Sequence, residues 1–83
     1  MGIKTALVVD DSRVARLTLS KLLKERGIDV TQAGSAREAL EHLKHHRPDV
    51  VFMDFMMPDM DGLEATRHIS ENPVTAQIPV IIC

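Results

Sequence analysis

Residues 50–62 read VVFMDFMMPDMDG. Val50, Val51, Phe52 and Met53 form an uninterrupted run of β-branched and large apolar side chains, the pattern of a strand covered on both faces. Asp54 follows at once, and after it the turn Pro58-Asp59-Met60-Asp61-Gly62. A carboxylate at the mouth of a buried strand costs solvation free energy unless a cation or hydrogen bonds compensate it. The stretch therefore predicts a buried strand that delivers an acid to a charged site.

Working outward, residues 4–9 (KTALVV) read as a first buried strand running into Asp10 and Asp11. Ser12 is a candidate N-cap, and residues 13–26 carry Val14, Leu17, Leu19, Leu22 and Leu23 as a helical apolar stripe. Lys24 and Arg26 suit the negative end of that helix, and Gly27 a left-handed stop. DVTQA, residues 29–33, reads as a short second strand. SARE, residues 35–38, is a capping box opening a helix with Ala36, Ala39, Leu40 and Leu43 inward, and Pro48 ends that element. Residues 62–71 read as a third helix closed by Asn72-Pro73. IPVIIC, residues 78–83, begins a fourth strand with proline near its start, where a missing amide is tolerated. The order β-α-β-α-β-α-β predicts an α/β fold: a doubly wound parallel sheet with right-handed crossovers and helices on both faces. Residues 1–83 are expected to form one domain, with no repeat, low-complexity tract or linker.

Composition narrows the function. The chain has 83 residues, 45% hydrophobic and 27% charged, an ordinary globular mixture. Ten Lys and Arg against twelve Asp and Glu give a formal charge of -2, so no global field favours nucleic acid. Trp and Tyr are absent, and Phe52 and Phe55 alone make no stacking platform, so nucleic-acid binding by this chain is not expected. Cys83 is the only cysteine, which rules out an internal disulfide and implies no oxidising compartment. No apolar run suits a signal peptide or a bilayer span, and a cytoplasmic location is expected.

In an open parallel sheet, ligands sit outside the carboxyl ends of the strands, where strand order reverses. If the third strand neighbours the first and the second lies beyond it, Asp10, Asp11 and Asp54 converge there. Like charges so close raise one another's pKa values unless a cation intervenes. Mg²⁺ fits, as a hard ion that takes a few carboxylates, keeps waters and bridges to phosphate oxygens. One carboxylate oxygen is then available as a nucleophile, a recognised route to an aspartyl phosphate.

The segments VVDDS, VVFMDFMMPDMDG and IPVII together resemble the receiver domain of bacterial two-component response regulators, of the chemotaxis-regulator-like kind. The resemblance implies a flavodoxin-like sheet of order 2-1-3-4-5. It also implies that Asp54 is the phosphoacceptor. Mg²⁺ would be held by Asp11, Asp54 and the backbone carbonyl of Met56, with Asp10 acting through water. The implied partner is a histidine kinase or histidine phosphotransfer protein, docking on the first helix at Arg13, Arg16 and Leu17. Gly62 would let the chain bend sharply into the third helix. Receivers also carry a Ser or Thr after the fourth strand and a Lys at the end of the fifth, and here both would fall past Cys83. The chain thus reads as a truncated receiver of strand order 2-1-3-4, lacking the last helix, strand and helix, with switching in doubt. Its alternative role is a non-phosphorylated interaction or dimerisation fragment, a homodimer forming through the exposed fourth strand.

Other chemistries fit less well. A hydrolase of the haloacid dehalogenase kind needs a second Asp two residues after its nucleophile, where this chain has Met56. DMDG, residues 59–62, resembles part of a calcium loop, but the first loop position would be Met57 and the twelfth His68. Asp59 and Asp61 read as turn formers. His42, His45, His46 and His68 read as solvated rather than as zinc ligands. Met53, Met56, Met57 and Met60 read as packing or loop contacts.

Overall fold

A computed structural model describes residues 2–83. In chain order the elements are β1 (Thr5–Val9), α1 (Arg13–Lys24), β2 (Asp29–Ala33), α2 (Ala36–His42), β3 (Val50–Met53), α3 (Gly62–Glu71) and β4 (Val80–Ile82). The strands form one sheet in the order β2-β1-β3-β4, and every pairing is parallel. This is the alternating architecture that the sequence predicts. Val9 stands level with Ala33 on one side and Met53 on the other, so the three long strands end together. Backbone ladder bonds continue one residue further: Asp10 N–H donates to the Ala33 carbonyl (3.1 Å) and Asp54 N–H to the Val9 carbonyl (2.8 Å). The acids are thereby held on the last rung of the sheet.

Alternation along the strands divides the core. Leu7, Val9, Ala33, Val51 and Met53 pack with Ala36, Ala39 and Leu43 of the second crossover and with Met57, Ala65 and Ile69 of the third. Burying a side chain the size of Leu7 or Ile69 contributes about 1.5–3 kcal/mol, so this layer dominates the fold. Ala36, Ala39 and Ala65 are wholly buried, and their small side chains let α2 and α3 lie close to the sheet. Ala6, Val8 and Val50 are buried but outside this cluster, and α1 packs on β1 and β2.

The helix caps follow the sequence closely. Ser12 accepts from Ala15 N–H, Ser35 from Glu38 N–H and Asp61 from Glu64 N–H. Glu38 reaches back to Gly34 N–H (2.8 Å), one residue before the cap, instead of to the cap itself. Gly27, at φ 79°, supplies the left-handed turn after α1.

The α1 stripe departs from expectation. Val14 is 74% exposed, and Leu17 and Leu22 are each 47% exposed. The residues turned inward are Arg16, Leu19, Ser20 and Leu23, which keep helical i, i+3, i+4, i+7 spacing. An inward stripe half built from polar residues is invisible to a search for apolar periodicity. The helix also ends at Lys24, two residues early. At the sheet edge, Ile81 and Ile82 of β4 are exposed. Among the described residues no helix is long and apolar enough to cross a membrane.

Candidate functional site

The carboxyl ends of β1 and β3 bring Asp10, Asp11 and Asp54 together. One carboxylate oxygen from each lies within 4.8 Å of the others. Among the described residues this is the one group of three or more His, Cys, Asp or Glu side chains that converges so. Asp10 and Asp54 are half-buried and Asp11 is exposed, so the cluster opens to solvent on one side. Asp10 Oδ1 accepts from Ser12 N–H (2.9 Å), which orients it as α1 begins.

The electrostatics are those of unneutralised acids. Burial pushes the Asp54 carboxyl above its ordinary value, the Asp10 charge adds to the rise, and so do a hydrogen bond to Asp11 and that residue's charge. The Met56 amide, 3.4 Å from Asp54 Oδ1, pulls the other way, by more than either Asp11 contribution. Burial also pushes the Cys83 thiol up, with Asp10 and Asp54 contributing, so the end of β4 lies within reach of the same field. Three oxygen donors crowded at one solvent-facing rim suit a hard divalent cation such as Mg²⁺, whose charge would remove this repulsion. Met56 follows in the same loop with its side chain exposed and its amide on Asp54, so its backbone borders the acids.

The loop after Asp54 is tightly closed. Gly62 N–H donates to the Phe55 carbonyl (2.8 Å). A Cβ on Gly62 would overlap the Asp54 carbonyl oxygen and lie 2.9 Å from its carbon and 3.0 Å from Phe55 Cα. Among the described residues only Gly2 and Gly27 have positive φ, so Gly62 is required for close approach and not for a left-handed bend. Asp61 caps α3, as a turn former should. Asp59 does something the sequence does not suggest: its carboxylate accepts from Arg37 N–H (2.9 Å) and Ala36 N–H (3.4 Å) at the start of α2. Those bonds hold the Asp59 carboxyl below its ordinary value.

The expected docking triad is not one face. Arg13 and Leu17 are exposed, but the Arg16 side chain turns inward. Its Nη1 donates to the Asp10 carbonyl (2.7 Å) and its Nε to Gln32 Oε1 (3.3 Å). With two of its five N–H donors engaged and its side chain half-buried, Arg16 is less available to a partner than Arg13 or Leu17. The histidines are not uniformly solvated either. His42 is half-buried and stacks on His46, with ring centroids 4.4 Å apart, and burial lowers its pKa.

Comparison with known proteins agrees with the fold. The response regulator receiver domain family matches residues 6–83. The chain is 37% identical over 76 residues to protein PilH of Pseudomonas aeruginosa, covering 92% of the chain and 63% of that protein. It is likewise 37% identical over 78 residues to chemotaxis protein CheY of Bacillus subtilis, covering 93% and 63%. The N-terminal domain of a response regulator receiver protein from Methanoculleus marisnigri superposes with a TM-score of 0.92 at 38% identity, covering 98% of the chain and 66% of that structure. The chain therefore spans just under two thirds of the length of these relatives.

Proposed function

The chain belongs to the response regulator receiver domain family, and from that premise we propose that it accepts a phosphoryl group on Asp54. The donor is a phosphohistidine of a histidine kinase or phosphotransfer protein. Asp11, Asp54 and the Met56 backbone carbonyl would hold Mg²⁺, with Asp10 contributing through water. The observation that carries the reading is the convergence of three carboxylates, with oxygens within 4.8 Å, beyond the carboxyl ends of β1 and β3.

In the transfer, an Asp54 carboxylate oxygen forms a bond to phosphorus as the phosphorus–nitrogen bond of the donor breaks, and the imidazole nitrogen keeps that electron pair. Mg²⁺ held by these residues would supply positive charge to offset the phosphoryl oxygens against the acids. The protein's own contribution is placement. The ladder bond from Asp54 to Val9 fixes the nucleophile, and the open side of the cluster admits the donor. The chain carries the group as a signalling module, and its own phosphorylation and dephosphorylation are the only reactions it performs. A free, exposed Cys83 fits a reducing compartment such as the cytoplasm.

The test is intact mass after incubation with Mg²⁺ and a small phosphoryl donor, run beside Asp54→Asn. A single phosphate adduct on the parent alone supports the reading. No adduct on a folded parent refutes it.

A further inference from the structure

The turn between β2 and α2 contributes no acid to the cluster, yet a side chain from α1 and one from the loop after Asp54 make contacts on either side of it. From one side comes Arg16, whose guanidinium spans the Asp10 carbonyl and Gln32. The same group lies against Gly34, where a Cβ would come within 3.3 Å of Nη1. From the other side comes Asp59, whose carboxylate holds the amides of Ala36 and Arg37 across a sequence separation of 23 and 22 residues. The turn is itself locked by Glu38 on Gly34 N–H. α2 already has its own cap in Ser35, so the Asp59 contact adds a link between loops and not merely a helix start.

Resting on the reading of the acids as a Mg²⁺ site, we propose that Arg16 and Asp59 are positioning residues for it. Arg16 ties the Asp10–Asp11 loop to Gln32 at the end of β2, and Asp59 ties the loop after Asp54 to the start of α2, so both ties anchor on the segments flanking one ligand-free turn. Some such restraint is required, because the three carboxylates repel and would drive the loops apart in the absence of metal. Charge-assisted bonds at 2.7 Å and 2.9 Å are the strong class of tie for that task. Partners that orient metal ligands typically contribute 10–100-fold in affinity, and ties acting on the loop backbone belong at about the tenfold end.

The experiment is Mg²⁺ titration of the full chain followed by amide NMR shifts, with thermal melts in the presence and absence of Mg²⁺. The variants are Arg16→Met, Arg16→Lys, Asp59→Ala and Asp59→Asn. Arg16→Met removes a cation near the acids, so bulk electrostatics alone would tighten Mg²⁺ binding; positioning requires it to weaken, by roughly tenfold. Arg16→Lys keeps the charge and the stem and shows a smaller loss in the same direction, should the Met variant fail to fold. Asp59→Ala weakens binding, whereas Asp59→Asn, which keeps an acceptor oxygen, recovers most of it. Unchanged or tighter Mg²⁺ binding in Arg16→Met or Arg16→Lys overturns the assignment, as does an Asp59→Asn no better than Asp59→Ala. A parent with no Mg²⁺ affinity overturns the underlying reading and this inference with it. A parent that binds, with variants whose metal-free melts fall but whose affinities hold, overturns this inference alone.

Discussion

Gly62→Ala puts the largest predicted cost on the smallest change of side chain. The new Cβ overlaps the Asp54 carbonyl oxygen, and the atoms behind it, at 2.9 Å and 3.0 Å, are backbone. No flexible side chain can yield, so the 54–55 segment itself must move. Overpacking of this kind costs about 1–3 kcal/mol. The shift also weakens the 2.8 Å bond from Gly62 N–H to Phe55, a loss of about 1 kcal/mol. Against this, alanine restricts the unfolded chain, which offsets about 0.4–1 kcal/mol. The net is a destabilisation of roughly 1–3.5 kcal/mol, or about 4–28 °C in Tm for a domain of this size. Urea unfolding followed by circular dichroism gives the stability, and a Mg²⁺ titration of the folded variant gives the site, which should weaken because Asp54 is the residue displaced. Gly27→Ala is the control: no atom lies within 4 Å of its Cβ position, and its φ of 79° makes the penalty one of backbone conformation alone, about 1–2 kcal/mol, without effect on Mg²⁺. A Gly62→Ala chain within about 0.5 kcal/mol of the parent, the ordinary scatter of surface substitutions, with Mg²⁺ affinity intact, would refute the steric argument.

Asp54→Asn should stabilise the metal-free chain, since removing one charge from oxygens within 4.8 Å of one another relieves roughly 1 kcal/mol at a water-like dielectric. Melts in a chelator test this, and a lower Tm would contradict it; added Mg²⁺ should no longer raise the Tm of this variant. The pH dependence has opposite signs at two acids. Asp54 is raised in the folded state, so between its ordinary value and the raised one the folded chain holds the extra proton, and metal-free stability increases as pH falls through that window. Asp49, whose carboxylate accepts from the Lys4 and Thr5 amides, is lowered, so its contribution is present above the unfolded value and is lost as pH falls through the folded one. Stability against pH for Asp49→Asn should lack that acid loss, and an unchanged acid limb would count against it. Ser20 is 2% exposed with its hydroxyl unpartnered, and Ser20→Ala should stabilise by about 1 kcal/mol in urea; a destabilised variant would mean the hydroxyl has a partner after all.

The parallel alternating sheet is legible from local patterns plus a topological rule, whereas the strand order, and with it the meeting of the acids, is legible only through the resemblance to the receiver family. Uninterrupted apolar runs before Asp10 and Asp54 mark buried parallel strands, and alternation with helices leaves few ways to order them. The α1 stripe was misread for the converse reason. Arg16 and Ser20 occupy inward positions without being apolar, and Val14, Leu17 and Leu22 are apolar without facing the sheet. Gly62 was read correctly as required but for the wrong cause, since only coordinates reveal a backbone oxygen where its Cβ would stand.

What stayed hidden in the site shares one physical character. Asp59 and Arg16 act on backbone groups of other segments, and a backbone amide or carbonyl has no identity in the sequence to pair with. Asp59 beside Asp61 in a Pro-to-Gly turn has the composition of a loop former whichever amides it holds. The two acids of the turn nonetheless divide the work: Asp61 starts α3 within three residues, while Asp59 reaches α2 across the molecule. Residues that bind a metal must be of a particular chemical type, so their pattern survives in one dimension. Residues that hold the ligands in place need only a donor or acceptor of the right length at the right point. The side-chain ligands of such a site are therefore readable before the fold is known, and the backbone groups and restraints that complete it only afterwards.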